Sequence, residues 1–283
     1  MEDNIMAKLR KVFISADIEG VEGVVSGMSI TRGKMDFPVG RKRLALDVNA
    51  AIQAAFDMGA EEVVVCDGHA DMENILIEDL HEDAKLVSGA MRSSLQMQTI
   101  ERGFDAFIMF GHAGAGVSYN GVIDHCYNGG KIYNMRLNGI TMNTEAVQNA
   151  VIAGHYGTPI VAIVGDEAVC EEVKAFVPEC EGIAVKEGLS RFSAISVHPN
   201  KARKMIYEGV KNALARFDQI KPLKLEEPIT MEIDFKDTNM AQTCELIPGV
   251  KRTAPRTVSV TGDAETIFKL HELMIYRLVD RLG

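Results

Sequence analysis

Val12-Phe13-Ile14-Ser15-Ala16-Asp17-Ile18-Glu19-Gly20 sets an apolar run directly before two carboxylates and a glycine. Three later segments repeat the arrangement. Val63-Val64-Val65-Cys66 leads into Asp67-Gly68-His69, and Phe107-Ile108-Met109-Phe110 leads into Gly111-His112-Ala113. Ile160-Val161-Ala162-Ile163-Val164 leads into Gly165-Asp166-Glu167. Unbroken apolar and β-branched runs of this length read as strands buried on both faces, the habit of a parallel sheet covered by helices.

Helical patterns lie between these runs. Leu44, Val48, Ile52, Ala55 and Phe56 recur at helical spacing before Gly59, a natural stop. Asn143 to His155 carries Val147, Ala150 and Val151 on one face, and Ser93 to Arg102 is a weaker helical segment. Strand, helix, strand in this order predicts right-handed βαβ units with a crevice beyond the carboxyl ends of the strands. Lys131 to Gly139 reads as a hairpin segment turning at Asn138-Gly139. Beyond residue 190 the pattern changes. An amphipathic helix spans Asn200 to Phe217, Ile229 to Phe235 alternates as a strand, Thr257 to Val260 is another, and Glu265 to Arg281 is a closing helix. The expectation is an α/β fold: a mostly parallel sheet covered by helices in a metal-binding catalytic domain (residues 9–190), then a smaller C-terminal α+β lobe (191–283).

The chain has 283 residues and a formal charge of −10, with no long basic block. That balance argues against nucleic acid or an anionic membrane as partner. No segment approaches the roughly 20 apolar residues of a membrane span. Met1 to Lys11 lacks the apolar core of a signal peptide. The five cysteines are scattered, with no CxxC pair, a pattern that fits reduced thiols in the cytoplasm.

Asp17 and Glu19 are two apart at a strand end, so in extended chain both point to one face. Two converging carboxylates repel unless a cation lies between them, although a lone DxE is as often an acidic loop. His69 and His112 both follow apolar strands, both beside Gly, at the edge where Asp17 is expected. One such histidine reads as a hydrogen-bonded loop residue, but two facing a carboxylate pair point to zinc, manganese or cobalt. Asp67 either orients the His69 imidazole or shapes the turn before Gly68. His81, His155, His198 and His271 join no cluster, and the glycines after Phe110 lack dinucleotide spacing.

Ser15-Ala16-Asp17-Ile18-Glu19-Gly20 resembles the SxDxEG signature of the DppA-type D-aminopeptidases, a family of zinc metallopeptidases. The resemblance continues through Asp67-Gly68-His69, Gly111-His112-Ala113, Asn143-Thr144-Glu145 and Ala184-Val185-Lys186 to Ser190-Arg191. It implies two zinc ions per subunit, with Asp17 bridging them, Glu19 and His112 on one, and His69 and Glu145 on the other. Glu145 enters through the resemblance alone, because an acid near a helix start is favoured by the helix dipole anyway. The resemblance also implies a catalytic histidine at His125, which the residues themselves place only in a Gly-rich loop. Short peptides with N-terminal D-amino acids and a ring-like homo-oligomer follow from the same likeness.

The expected chemistry is metal-assisted amide hydrolysis, with His125 as nucleophile, proton shuttle or oxyanion stabiliser. Asp166 or Glu167 is a possible acid for the substrate ammonium, unless Gly-Asp-Glu simply caps the next helix. Two rivals use the same ligand types: a two-metal phosphoesterase and a non-catalytic metal-binding oligomer.

Overall fold

The computed structural model describes residues 8–279. The chain begins β1 (Lys11–Ala16), α1 (Gly27–Ile30), α2 (Phe37–Asp57), β2 (Glu62–Asp67), β3 (Lys85–Val87) and β4 (Ala106–His112). It continues through β5 (Ile132–Leu137), β6 (Ile140–Thr141), α3 (Glu145–His155), β7 (Ile160–Asp166), α4 (Glu167–Lys174), β8 (Glu181–Ser190) and β9 (Ser193–Ser196). The remainder is α5 (Pro199–Leu214), β10 (Ile229–Phe235), α6 (Thr238–Cys244), β11 (Lys251–Ala254), β12 (Thr257–Gly262) and α7 (Ala264–Glu272).

The four apolar runs are β1, β2, β4 and β7, and all lie in one seven-stranded sheet of order β3-β2-β1-β4-β7-β8-β9. Every pair in it is parallel except the edge hairpin β8–β9. Val12 sits between Val63 and Ala106 in register. Helices on both faces explain why β4 and β7 are buried at every residue. Phe13, Phe107 and Phe110 fill this core, where truncating a Phe to Ala costs about 3–5 kcal/mol. From β1 the order runs outward through β2 in one direction and through β4 in the other. That reversal makes the crevice beyond β1 and β4 the expected binding position.

The second sheet is antiparallel, of order β11-β12-β10-β5-β6. Strand β10 alternates buried and half-buried residues, as a one-sided sheet requires. Asn138 and Gly139 both have positive φ, the geometry of a two-residue hairpin turn between β5 and β6. This sheet recruits β5 and β6 from the first half of the chain, while β9 completes the first sheet. The division between sheets therefore does not coincide with a cut at residues 190/191.

The weak helical segment at Ser93–Arg102 is instead two 3₁₀ turns, Leu95–Met97 and Ile100–Arg102. Thr99, at φ 84°, breaks any longer helix between them. The closing helix is α7 followed by a π-helical stretch, Leu273–Leu278; its expected last residues, 280 and 281, lie outside the described residues. Among the described residues, no helix is long and apolar enough to cross a membrane.

Candidate metal centre

Asp17 and Glu19 leave the end of β1, His69 lies two residues past β2, His112 ends β4 and Glu145 opens α3. The fold brings all five together. Asp17 Oδ1 is 3.1 Å from His69 Nδ1, and its Oδ2 is 3.4 Å from His112 Nδ1. Glu19 Oε1 is 3.1 Å from the same His69 nitrogen, and Glu145 Oε2 is 3.8 Å from His112 Nδ1. Two groups result, each with ligand atoms within 4.8 Å of one another: Asp17, Glu19 and His69, and Asp17, His112 and Glu145. Asp17 is common to both. The partners differ from the expected pairing, since His69 stands with Glu19 and His112 with Glu145. Position explains this: Glu19 turns toward the β2 side of the crevice, whereas α3 delivers Glu145 to the β4 side.

Two glycines permit this approach. A Cβ on Gly20 would lie 2.0 Å from the His112 carbonyl oxygen, and one on Gly111 would lie 1.9 Å from that of Asp17. The ligand loops are joined through their backbones, with Asp17 N donating to Phe110 O at 2.8 Å and Gly20 N to Gly111 O at 2.5 Å. Gly20 thus serves close approach between two ligand segments as much as chain turning. From the other side, the buried Lys186 ammonium donates to the carbonyls of Glu19, Val21 and Val24.

His69 Nε2 lies 2.9 Å from the Ile30 carbonyl oxygen. A neutral His69 therefore donates from Nε2 and leaves the Nδ1 lone pair facing two carboxylates. That is repulsive until a proton or a cation lies between them. Burial works against a charged His69, but Glu19 and Asp17 overcome it and raise the imidazole well above its ordinary pKa. Burial, reinforced by Glu19, raises Asp17, and burial pushes Glu145 up to about 7. Burial would also raise Glu19, but His69 holds it below the ordinary carboxylate range. Burial brings His112 down to about 4. Among the described residues, Glu19 Oε2 and His112 Nε2 have no hydrogen-bond partner. Three buried carboxylates, two imidazoles and orphaned donor atoms at one point suit mixed nitrogen and oxygen coordination of a zinc-like cation.

His125 Nδ1 lies 2.8 Å from the Ile123 carbonyl oxygen, and its Nε2 lies 3.7 Å from Glu145 Oε1. Burial would lower its pKa, but Glu19, Glu145 and Asp17 raise it. It lines a pocket of about 510 Å³ together with Asp17, Glu19, His69 and Glu145. His112 lies beneath that floor, 3% exposed.

Several neighbours were not legible as site residues. Gln96 Nε2 donates to Glu145 Oε2 at 2.9 Å, and Tyr127 N donates to Glu145 Oε1 at 2.8 Å. Both lie in irregular segments that no periodicity marks. Asp67 does not touch the His69 ring: its carboxylate accepts from Asn74 N, Asn74 Nδ2 and Ile75 N, holding the loop that presents His69. The Ile30 carbonyl is what orients the ring. Asp166 is fully buried, caps α4 at Val169 N and accepts from Gly114 N and Val122 N. It therefore braces the loop before His125, and neither it nor Glu167 lines the pocket. Asp124 pairs with Arg191 at 3.1 Å, shaping the same turn.

A family model described as D-aminopeptidase matches residues 10–274. A Bacillus subtilis (strain 168) protein, D-aminopeptidase, is 28% identical over 265 residues, covering 94% of this chain and 95% of its own. A solved structure, described as Zn-dependent D-aminopeptidase DppA from Bacillus subtilis, a self-compartmentalizing protease, superposes with a TM-score of 0.92 at 27% identity. The superposition covers 96% of this chain and 99% of that one.

Proposed function

The chain belongs to the D-aminopeptidase family, and we propose that it is a zinc-dependent aminopeptidase removing D-amino acids from the N-terminus of short peptides. The observation that carries this reading is the convergence of four ligand-type side chains on one buried carboxylate, Asp17, at the floor of a peptide-sized pocket. Zinc dependence is what the similar bacterial structure is described as having. Two ions per subunit are our inference from the two groups that share Asp17. Asp17, Glu19 and His69 would hold one, and Asp17, His112 and Glu145 the other. When bound, zinc polarises the scissile carbonyl and brings a water's pKa toward neutrality.

The side chains do the rest. Gln96 and the Tyr127 N–H hold Glu145 in one orientation, and the Ile30 carbonyl fixes the His69 ring. With Nδ1–H donated to Ile123, His125 presents Nε2 to the pocket. The surrounding carboxylates strengthen its hold on a proton there. It can then donate to the developing oxyanion or to the leaving amine.

We also propose a closed homo-oligomer, ring-like in form. The self-compartmentalizing character of the similar structure supports it, as does the edge hairpin, where Leu189, Phe192 and Ile195 are 57%, 61% and 58% exposed. Cytoplasmic location is supported by five free, buried cysteines.

The test is zinc-loaded protein offered D-alanine amide, L-alanine amide and a phosphate monoester. Release of ammonia from the D-amide, at least about tenfold faster than from the L-amide, is the expected result. Hydrolysis of the ester alone would overturn the peptidase reading. Zinc uptake with no hydrolysis would favour a metal-binding oligomer instead.

A further inference from the structure

The pocket above the metal centre is acidic. Asp17, Glu19 and Glu145 lie at its floor, and Asp71 and Glu272 lie along its walls. Among the described residues lining it, Arg277 is the only Arg or Lys. Its guanidinium does not hang free. Nε donates to Glu272 Oε1 at 2.6 Å, and Nη2 approaches the same oxygen at 2.5 Å. Glu272 thus occupies the side edge of the fork. An arginine has five N–H donors, so the end-on edge formed by Nη1 and Nη2 remains for another planar acceptor.

The element that carries Arg277 is tied to the metal centre. It belongs to the π-helical stretch Leu273–Leu278, an irregularity frequent at functional sites. From the same stretch, Tyr276 Oη donates to the Tyr127 carbonyl at 3.3 Å. Tyr127 is the residue whose N–H braces Glu145. Arg277 is therefore held in a fixed relation to the floor rather than on a loose tail.

We propose that Arg277, oriented by Glu272, binds the free C-terminal carboxylate of the peptide substrate and so restricts the enzyme to very short peptides. This deepens the aminopeptidase reading and rests on it. An aminopeptidase places the substrate's amino end at the metals, so in a pocket of about 510 Å³ a di- or tripeptide must direct its carboxylate toward the walls. His69 and His125 belong to the floor at the metal centre, so along the walls Arg277 is the one Arg or Lys among the described lining residues that can meet that carboxylate. A phosphate dianion fits this edge less well, because Glu272 already neutralises the guanidinium and repels a second charge.

The experiment compares D-Ala-D-Ala with its C-terminal amide, D-Ala-D-Ala-NH₂, on zinc-loaded wild type, Arg277→Met and Arg277→Lys. Wild type is expected to favour the free acid by about 10- to 100-fold in kcat/KM, chiefly through KM, as for a charge-assisted pair made equally in ground and transition states. In Arg277→Met the acid-to-amide ratio should fall to near one, and Arg277→Lys should recover only part of it, having charge without the fork. The ratio is internal to each protein, so partial misfolding does not move it. Calorimetric binding of both peptides to metal-free protein reads the same preference without turnover. An unchanged ratio in Arg277→Met, or a wild type with no preference for the acid, would overturn the assignment. Wild type that binds the acid preferentially yet hydrolyses neither peptide would uphold the Arg277 subsite and overturn the peptidase reading.

Discussion

Two clusters of acidic residues in this molecule meet opposite fates. On the antiparallel sheet, Asp234 and Glu232 face Arg136 across the β5–β10 register. Arg136 bonds Asp234 at 2.6 and 3.2 Å and Glu232 at 3.1 Å, and Thr257 and Asn134 donate to the Asp234 carboxylate as well. At the metal centre Asp17, Glu19 and Glu145 lie close together with no arginine or lysine side chain in the group, and two polar atoms are left without partners. The first cluster is complete as a protein structure and partly exposed. The second is buried and incomplete. Burying charges without compensation costs several kcal/mol each, so such an arrangement points to compensation from outside the chain. That contrast, rather than acidity itself, separates a ligand site from a structural ion network.

The largest effect expected from this contrast falls on Asp17, the residue common to both ligand groups. Asp17→Asn should abolish tight zinc binding and reduce kcat/KM by on the order of 10³-fold or more, since several kcal/mol of charge stabilisation is lost. The same variant should raise the melting temperature of the metal-free protein, because one of three mutually repelling carboxylates has become neutral. Zinc analysis and calorimetric melting, each with and without a chelator, read the two signs separately. Retained zinc would break the comparison. His125→Ala should come next, lowering kcat by about 10²- to 10⁴-fold while zinc content stays at the wild-type value. Loss of zinc in that variant would make His125 a ligand instead of a proton carrier.

The sequence exposes the parallel sheet well and the centre unevenly. Each apolar run ends in a polar pair, and buried parallel strands allow little other reading, so Asp17, Glu19, His69 and His112 are visible as neighbours. Glu145 is not, because the first turn of any helix favours an acid and nothing local distinguishes a ligand from a dipole partner. Gln96, Tyr127 and the Ile30 carbonyl are less visible still, since they act from irregular segments through single contacts. The pairing of ligands also escapes a linear reading: it depends on which side of the crevice Glu19 turns toward. Asp67 and Asp166 take the structural alternative that the sequence left open, as motif-adjacent acids spent on loop and helix ends. The second sheet is partly hidden for a simpler reason. Its β5 strand sits about 90 residues before β10, and strand alternation does not reveal a partner at that distance.

A smaller effect should appear in the metal-free protein as pH changes. Glu145 is held at about 7 in the fold, against an ordinary 4.5, chiefly by burial. The folded chain thus keeps this proton over a range in which the unfolded chain has lost it. The corresponding stability is fully present below about pH 4.5 and is lost as pH rises through about 7. Its size is on the order of 3 kcal/mol at 1.36 kcal/mol per pKa unit. Other groups titrate in the same window, so the measurement is the difference between wild type and Glu145→Gln in denaturant unfolding at pH 5 and pH 8 with chelator present. The wild type should lose more stability across that interval. Equal losses would show that the metal-free fold relaxes and hydrates Glu145.

The smallest effect belongs to the complete cluster. Arg136→Met removes the cation that Asp234 and Glu232 share, yet Thr257 and Asn134 remain to solvate Asp234, and water reaches the side chains. A loss of about 1–2 kcal/mol in unfolding free energy is therefore expected. Zinc content and kcat/KM should stay within about twofold of wild type, as for sites that share no partners. A loss of zinc in Arg136→Met would mean that the antiparallel sheet and the metal centre are coupled, most directly through β5, whose Met135 N–H is held by Asn143 two residues before Glu145. The opposite outcome, a stability change with no change in metal, would confine Arg136 to the fold and leave the buried, uncompensated charges at the sheet edge as the feature that defines the site.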